Sequence, residues 1–201
     1  IPEQDRPEVF VCASAVGYYG DRGDEVLTEE AAPGEGFLAD VCRAWEDAAV
    51  GAESLGIRTL RVRIGIVLSR DGGALGLMAL PFRLGLGGRL GSGRQWVPWI
   101  HIDDLIALLR AGIDDSRWSG AINGVAPNPE RNADLTRILA STLGRPARLP
   151  APAFALRAAL GELSGELLGS RRVVPERASK LGFAFAHPAL ETALSAELSG
   201  S

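Results

Sequence analysis

The chain holds 201 residues, with 25 acidic side chains against 21 basic ones and a formal net charge of −4. Hydrophobic residues make up 46% and charged residues 23%, enough apolar content for a packed core, while the net acidity argues against nucleic acid or an anionic membrane as partner. Cys12 and Cys42 are the only cysteines and His101 and His187 the only histidines, which excludes a disulfide framework, an all-cysteine zinc site and a His-rich metal centre, so no metal is expected.

The chain starts at Ile1, with Glu3, Asp5, Arg6 and Glu8 close behind. A secretory leader needs a basic start and an apolar run, so the sequence reads as cytoplasmic and as the later part of something longer. Val9 to Val16 is an unbroken apolar run, as expected of a strand buried on both faces. A polar stretch follows from Gly17 to Gly36. Leu38, Val41, Cys42, Trp45, Ala49, Ala52 and Leu55 then recur at helical spacing, and Gly56 can end that helix in a left-handed C-cap. Leu60, Val62, Ile64, Ile66 and Leu68 alternate as one strand. Strand, helix and strand make a βαβ unit with parallel strands.

Beyond Asp71-Gly72-Gly73 a short apolar helix is expected from Ala74 to about Ala79, then the Gly-rich segment Gly85 to Gly93. Trp96 to Ile102 reads as a strand, and Asp103 or Asp104 can cap a helix from Leu105 to Ile113. Gly120 to Ala126 is another strand, and a helix from Asn132 runs through Leu143. Helical pieces between Phe154 and Leu168 and a last helix from Ala189 to Leu198 complete the chain. The fold class is α/β: the C-terminal part of a Rossmann-type, doubly wound parallel sheet over residues 1–70, and a small α+β substrate lobe over 71–201 with some segments returning to the sheet.

Two motifs mislead. Gly17-Tyr18-Tyr19-Gly20-Asp21-Arg22-Gly23 has dinucleotide-loop spacing, but Asp24, Glu25, Glu29, Glu30 and Pro33 follow it. An acidic segment without a helix start would repel phosphate rather than cradle it. Ser14, His101 and Asp104 suggest a hydrolase triad, yet Ser14 sits in Ala13-Ser14-Ala15 and not in a Gly-flanked nucleophile elbow.

Ser14 to Gly20, Arg63 to Leu68, Asp71-Gly72-Gly73, Pro81 to Gly88, Gly91 to Gln95, Trp99 to Asp104 and Pro175 to Phe183 occur in order. Together they resemble the NAD(P)-dependent epimerase/dehydratase-like proteins of the extended or atypical short-chain dehydrogenase/reductase superfamily, in the subgroup of cell-division-inhibitor-like epimerases. The resemblance covers nearly the whole chain. It implies that about a hundred residues bearing the pyrophosphate loop would precede Ile1. It also implies NADP or NAD as cofactor, a small and perhaps sugar-like substrate, and a homodimer.

Members of the superfamily move a proton with a serine and a Tyr-x-x-x-Lys pair. The resemblance sets Ser14 at the serine. Where the pair should open the helix after Gly36, the sequence is Phe37-Leu38-Ala39-Asp40-Val41-Cys42, so the usual proton machinery is missing. Tyr18 and Tyr19 are the candidate substitute hydroxyls, with ring packing as the other reading. By resemblance, Gly65 and Val67 pass beside the nicotinamide, Gly65 permitting close backbone approach. Arg63 alternates away from the apolar set and reads instead as a buried ion-pair partner. Arg94 and Gln95 offer donors to the substrate, Trp96 and Trp99 offer flat walls, and His101 stands beside them. The expected activity is that of an epimerase or oxidoreductase, the alternative a cofactor-binding regulatory protein with little or no turnover.

Overall fold

The computed structural model describes residues 2–161 and 164–198. Its centre is a three-stranded parallel sheet in the order β1 (Val9–Ala15), β3 (Arg58–Ile64), β7 (Gly120–Gly124). β1 and β3 run in register from Val9 opposite Arg58 to Ala15 opposite Ile64. Residue 120 onward therefore returns to the sheet that the first seventy residues begin. Among the described residues β1 lies at one edge of this sheet, and Phe10 on it is 40% exposed.

Helix α1 (Phe37–Val50) crosses from β1 to β3 and continues as a 3-10 turn to Leu55. Gly56 closes it at φ 78°, the left-handed conformation that a residue without a Cβ adopts at low cost. The buried face of α1 is Ala39, Cys42, Glu46 and Ala49. Trp45, placed on the apolar stripe by its spacing, is 56% exposed. The inward position belongs to Glu46 instead, because a buried arginine on β3 faces it.

The expected strand from Leu60 to Leu68 is two strands. β3 ends at Ile64, and β4 (Ile66–Leu68) pairs with β6 (Trp99–His101) instead of with β1 and β7. The change of partner happens at Gly65, whose amide donates to Gly124 O, while the Ile66 amide donates to Pro98 O. A Cβ on Gly65 would lie 2.8 Å from Pro98 O and 3.0 Å from Val125 Cγ1, so the crossing requires glycine on steric grounds. The expected strand from Trp96 to Ile102 is likewise divided, at Pro98. β5 (Trp96–Val97) pairs antiparallel with β8 (Glu130–Arg131), and proline has no N–H to continue a ladder.

Helix α2 spans Ala74–Arg83 and includes Pro81, longer than expected. Helix α3 (Ile102–Asp114) is capped by His101, whose Nδ1 accepts from the Asp103 amide. Neither aspartate is the N-cap: Asp104 turns inward and accepts the amides of Ala186 and His187. Helix α4 (Asn132–Thr142), α5 (Ala153–Leu160), α6 (Ser164–Leu168), α7 (Glu176–Lys180) and α8 (Leu190–Leu198) build the second half. β2 (Val26–Leu27) pairs in parallel with β9 (Arg172–Val173), tying the polar loop after β1 to that half.

Three apolar clusters hold these layers. Leu60, Val62, Ile100, Leu108, Trp118 and Ile122 lie between the sheet and α3. Leu68, Leu75, Trp99, Leu135, Leu139 and Leu194 join β4 and β6 to α2, α4 and α8. Val16, Tyr19, Leu27, Val125 and Val173 pack beneath the polar loop. No helix among the described residues is long and apolar enough to cross a membrane.

Candidate functional site

The carboxyl ends of β1 and β3 open into a cavity of about 390 Å³, the place where parallel α/β sheets present ligand sites. Its floor is Ala15, Val16 and Gly17 at the end of β1, with Ile64, Gly65 and Ile66 at the end of β3. Leu38 and Cys42 of α1 form one wall; Trp96, Val97 and Pro98 form another. A larger cleft of about 670 Å³ adjoins it and shares Gly17, Leu38, Glu166 and Arg171 with it. The lining is mainly apolar, with one ion pair at the seam. Arg171, buried, gives one N–H to Gly20 O at 2.9 Å and another to Glu166 at 2.7 Å.

Ser14 does not line this cavity. Successive strand residues face opposite sides, and it is Ala15 that reaches the opening. The Ser14 hydroxyl is buried and donates to Glu46 Oε1 at 2.8 Å. Glu46 in turn holds Arg63, opposite Ser14 in the sheet, through two contacts of 2.8 and 2.9 Å. Both side chains of this pair are 4% exposed. Arg63 is thus the buried ion-pair partner, and removing Glu46 would strand its charge at a cost of about 3–5 kcal/mol.

The same guanidinium accounts for both tyrosines. Arg63 lies 3.5 Å from the centre of the Tyr18 ring and donates to Tyr19 Oη at 2.8 Å. Tyr19 Oη donates to Asn123 Oδ1 at 2.7 Å, and the Asn123 amide donates to Glu29. Burial, opposed by Arg63, pushes the Tyr19 phenol up to about 12. It is a neutral structural hydroxyl, not a base, and neither tyrosine borders the cavity.

Leu38 and Cys42, four residues apart on α1, face the cavity with the i, i+4 spacing of a Tyr-x-x-x-Lys pair. Leu38 has no proton to give. Burial pushes the Cys42 thiol up, so it stays protonated. With Ala15 facing the cavity from β1, the lining among the described residues holds no serine, tyrosine or lysine.

The substrate-side residues also redistribute. Trp96 borders the cavity, while Trp99 is 1% exposed inside the apolar core. Trp96 is fixed by its indole N–H, 2.7 Å from Asp24 Oδ1, and by the Arg131 and Arg172 guanidiniums over its ring. The hydrogen bond from Trp96 and the charge of Arg131 hold the Asp24 carboxyl below its usual range. Gln95 is buried and spends its amide N–H groups on Leu90 O and Leu167 O, bracing the cavity from behind. Arg94 is exposed and outside the lining. Val67 also lies outside it and packs beside the apolar cluster under α3. Of the anticipated residues, Gly65 and Trp96 line the cavity.

His101 is buried, stacked on His187 with ring centres 3.7 Å apart, and its Nε2 lies 3.0 Å from Glu197 Oε1. Burial, then the neighbouring His187, lowers its pKa. His101, Asp103 and His187 bring ligand atoms within 4.8 Å of one another. Nδ1 of His101 is already taken by the α3 cap, and the two rings lie face to face instead of converging. The hydrolase triad does not form, since Ser14, His101 and Asp104 each have other partners.

The sequence left unmarked Ala15, Leu38, Glu166 and Arg171. Leu38 and Cys42 were visible as an i, i+4 pair; the Glu166–Arg171 seam is a tertiary contact with no local signal.

A parallel sheet with a cavity at its carboxyl ends and a strand-switching glycine beside it is an α/β arrangement of the Rossmann type. A family described as a domain of unknown function, DUF1731, matches residues 151–197, the segment from α5 to α8. The chain is 45% identical, over 97% of its length, to the Arabidopsis thaliana chloroplastic homolog of epimerase family protein SDR39U1, covering 56% of that relative. The crystal structure of human epimerase family protein SDR39U1 with NADPH superposes with a TM-score of 0.90 at 33% identity, over 100% of this chain and 68% of that one. A nucleoside-diphosphate sugar epimerase from Corynebacterium glutamicum superposes with a TM-score of 0.80 at 40% identity, over 96% of this chain and 38% of that one. The chain belongs to this epimerase-like family of short-chain dehydrogenases/reductases. It spans 56% to 64% of the length of the curated relatives compared.

Proposed function

We propose that the protein binds NADP or NAD and holds a small organic molecule against the nicotinamide, as an epimerase- or oxidoreductase-like protein. The observation that carries this reading is the apolar cavity at the carboxyl ends of β1 and β3, continuous with a roomier cleft. The residues present suit a flat ring. Backbone at Ala15–Gly17 and Gly65–Ile66 would flank it, Leu38 and Pro98 would exclude water, and Trp96 would face the adjoining molecule. The bound dinucleotide supplies a hydride donor or acceptor.

What the chain's own residues contribute is shape, dryness and one polar anchor. Arg171, steadied by Glu166 and Gly20 O, is the group that would orient a polar substituent in the cleft. The lining offers no serine, tyrosine or lysine for proton movement: Ala15, Leu38 and Cys42 face the cavity from β1 and α1. That same absence favours a second reading, a cofactor-binding regulatory protein without turnover.

Fluorescence titration of NADPH into the full-length polypeptide, followed by a screen of carbonyl compounds and sugars for its oxidation, separates the two. Saturable binding with oxidation supports the enzyme. Saturable binding with no oxidation supports the regulatory protein. No binding removes both.

A further inference from the structure

A second concavity, about 570 Å³, opens on the far side of the walls that enclose the cavity. It lies between the Gly-rich segment before β5, helix α4 and the segment leading to α5. Leu90, Asn132 and Leu135 face the cavity, whereas their neighbours Arg89, Ala133 and Thr136 face this groove. The two hollows share no lining residue.

Three arginines line the groove, Arg89, Arg137 and Arg148, with Thr136 and no carboxylate. In a chain of net charge −4, this is a local reversal of sign. The three come from different elements, so helix periodicity does not explain their meeting. Arg137 reaches Asp134 at 3.5 Å in an exposed pair, an interaction of small strength. Among the described residues, neither Arg89 nor Arg148 has a carboxylate within 4.0 Å.

The groove is also built. The Leu149 and Ala151 amides donate to Gly87 O and Arg89 O, and the Gly91 amide donates to Ala151 O, which ladders its two loop walls together. The Arg89 stem lies across Gly93, where a Cβ would sit 3.1 Å from both Arg89 Cδ and Ala133 Cβ. A stem held by packing loses less freedom when its guanidinium takes a ligand.

We propose that this groove binds a small phosphate-bearing metabolite, a phosphomonoester or a diphosphate, at a site separate from the cavity. Planar guanidiniums match phosphate oxygens in paired hydrogen bonds. The volume falls in the range of small-ligand sites. Ala133, Ala140, Ala147 and Pro150 give an apolar ledge for the organic part.

Inorganic pyrophosphate, titrated calorimetrically into the full-length polypeptide at constant ionic strength, is the test. One-to-one saturable binding is expected, weakened about tenfold or more in Arg89→Gln and in Arg148→Gln. Arg110→Gln, exposed on α3 away from the groove, should bind as the parent does. NADPH titration of the same variants should be unchanged, which keeps failure of the groove apart from failure of the cavity. If Arg89→Gln does not fold, Arg148→Gln carries the test, as its side chain makes no hydrogen bond among the described residues. The proposal is overturned by the absence of saturable binding. It is equally overturned by a loss in Arg110→Gln as large as in the groove variants, by groove variants that bind normally, or by pyrophosphate-independent association with anionic vesicles through the same arginines.

Discussion

Ser14 and Ala15 differ by one position along β1, and that single step separates a framework hydroxyl from a cavity wall. Ser14 completes a buried network of Glu46, Arg63, Tyr19, Asn123 and Glu29. Arg63 was legible as a charge among alternating apolar residues, but which of two adjacent residues faces the opening depends on where the strand ends. No local pattern states that. The network has a consequence for alkaline stability. Burial raises the Tyr19 phenol from 10.0 to about 12, so the unfolded chain ionises first. Stability from this group is complete below pH 10 and is lost as pH rises toward 12. Denaturant unfolding at stepped pH should show that loss, and Tyr19→Phe should be less stable near neutrality by about 1–3 kcal/mol yet decline less above pH 10. Equal decline in both proteins would show that Tyr19 is not held neutral by burial.

Periodicity predicts an element well where that element meets one environment. The helix ended by Gly56 and the helices starting at Ala74 and Asn132 follow from stripes and stop signals. Leu60 to Leu68 alternates without a flaw, yet it changes sheets at Gly65. The change is written in non-local contacts with Pro98, Gly124 and Val125, which alternation cannot report. Pro98 was the only overt sign that the facing segment breaks as well. Gly65→Ala tests this account of the crossing. A Cβ there meets backbone, which cannot rotate away, so a loss of about 1–3 kcal/mol is expected in chemical denaturation. A neutral or stabilising result would mean that the crossing relaxes freely and that the glycine serves something else.

Across the whole molecule, the sequence showed the class of fold and the segments that surround the site, because the strand ends and the Gly-rich connection are signalled locally. It showed less of the site itself. Trp96 instead of Trp99, and Ala15 instead of Ser14, reach the cavity because side-chain direction is set by how sheet, α1 and the second half pack together. The Glu166–Arg171 seam depends on α6 and β9 meeting the turn after β1. All these contributions converge on one claim, that the hollow at the ends of β1 and β3 receives the nicotinamide ring. Transferred NMR contacts between the nicotinamide protons of NADPH and methyl groups of the full-length polypeptide measure it most directly. Contacts to Ala15, Leu38 and Ile66 are the expected result. Saturable NADPH binding whose nicotinamide protons touch none of these methyls would contradict it.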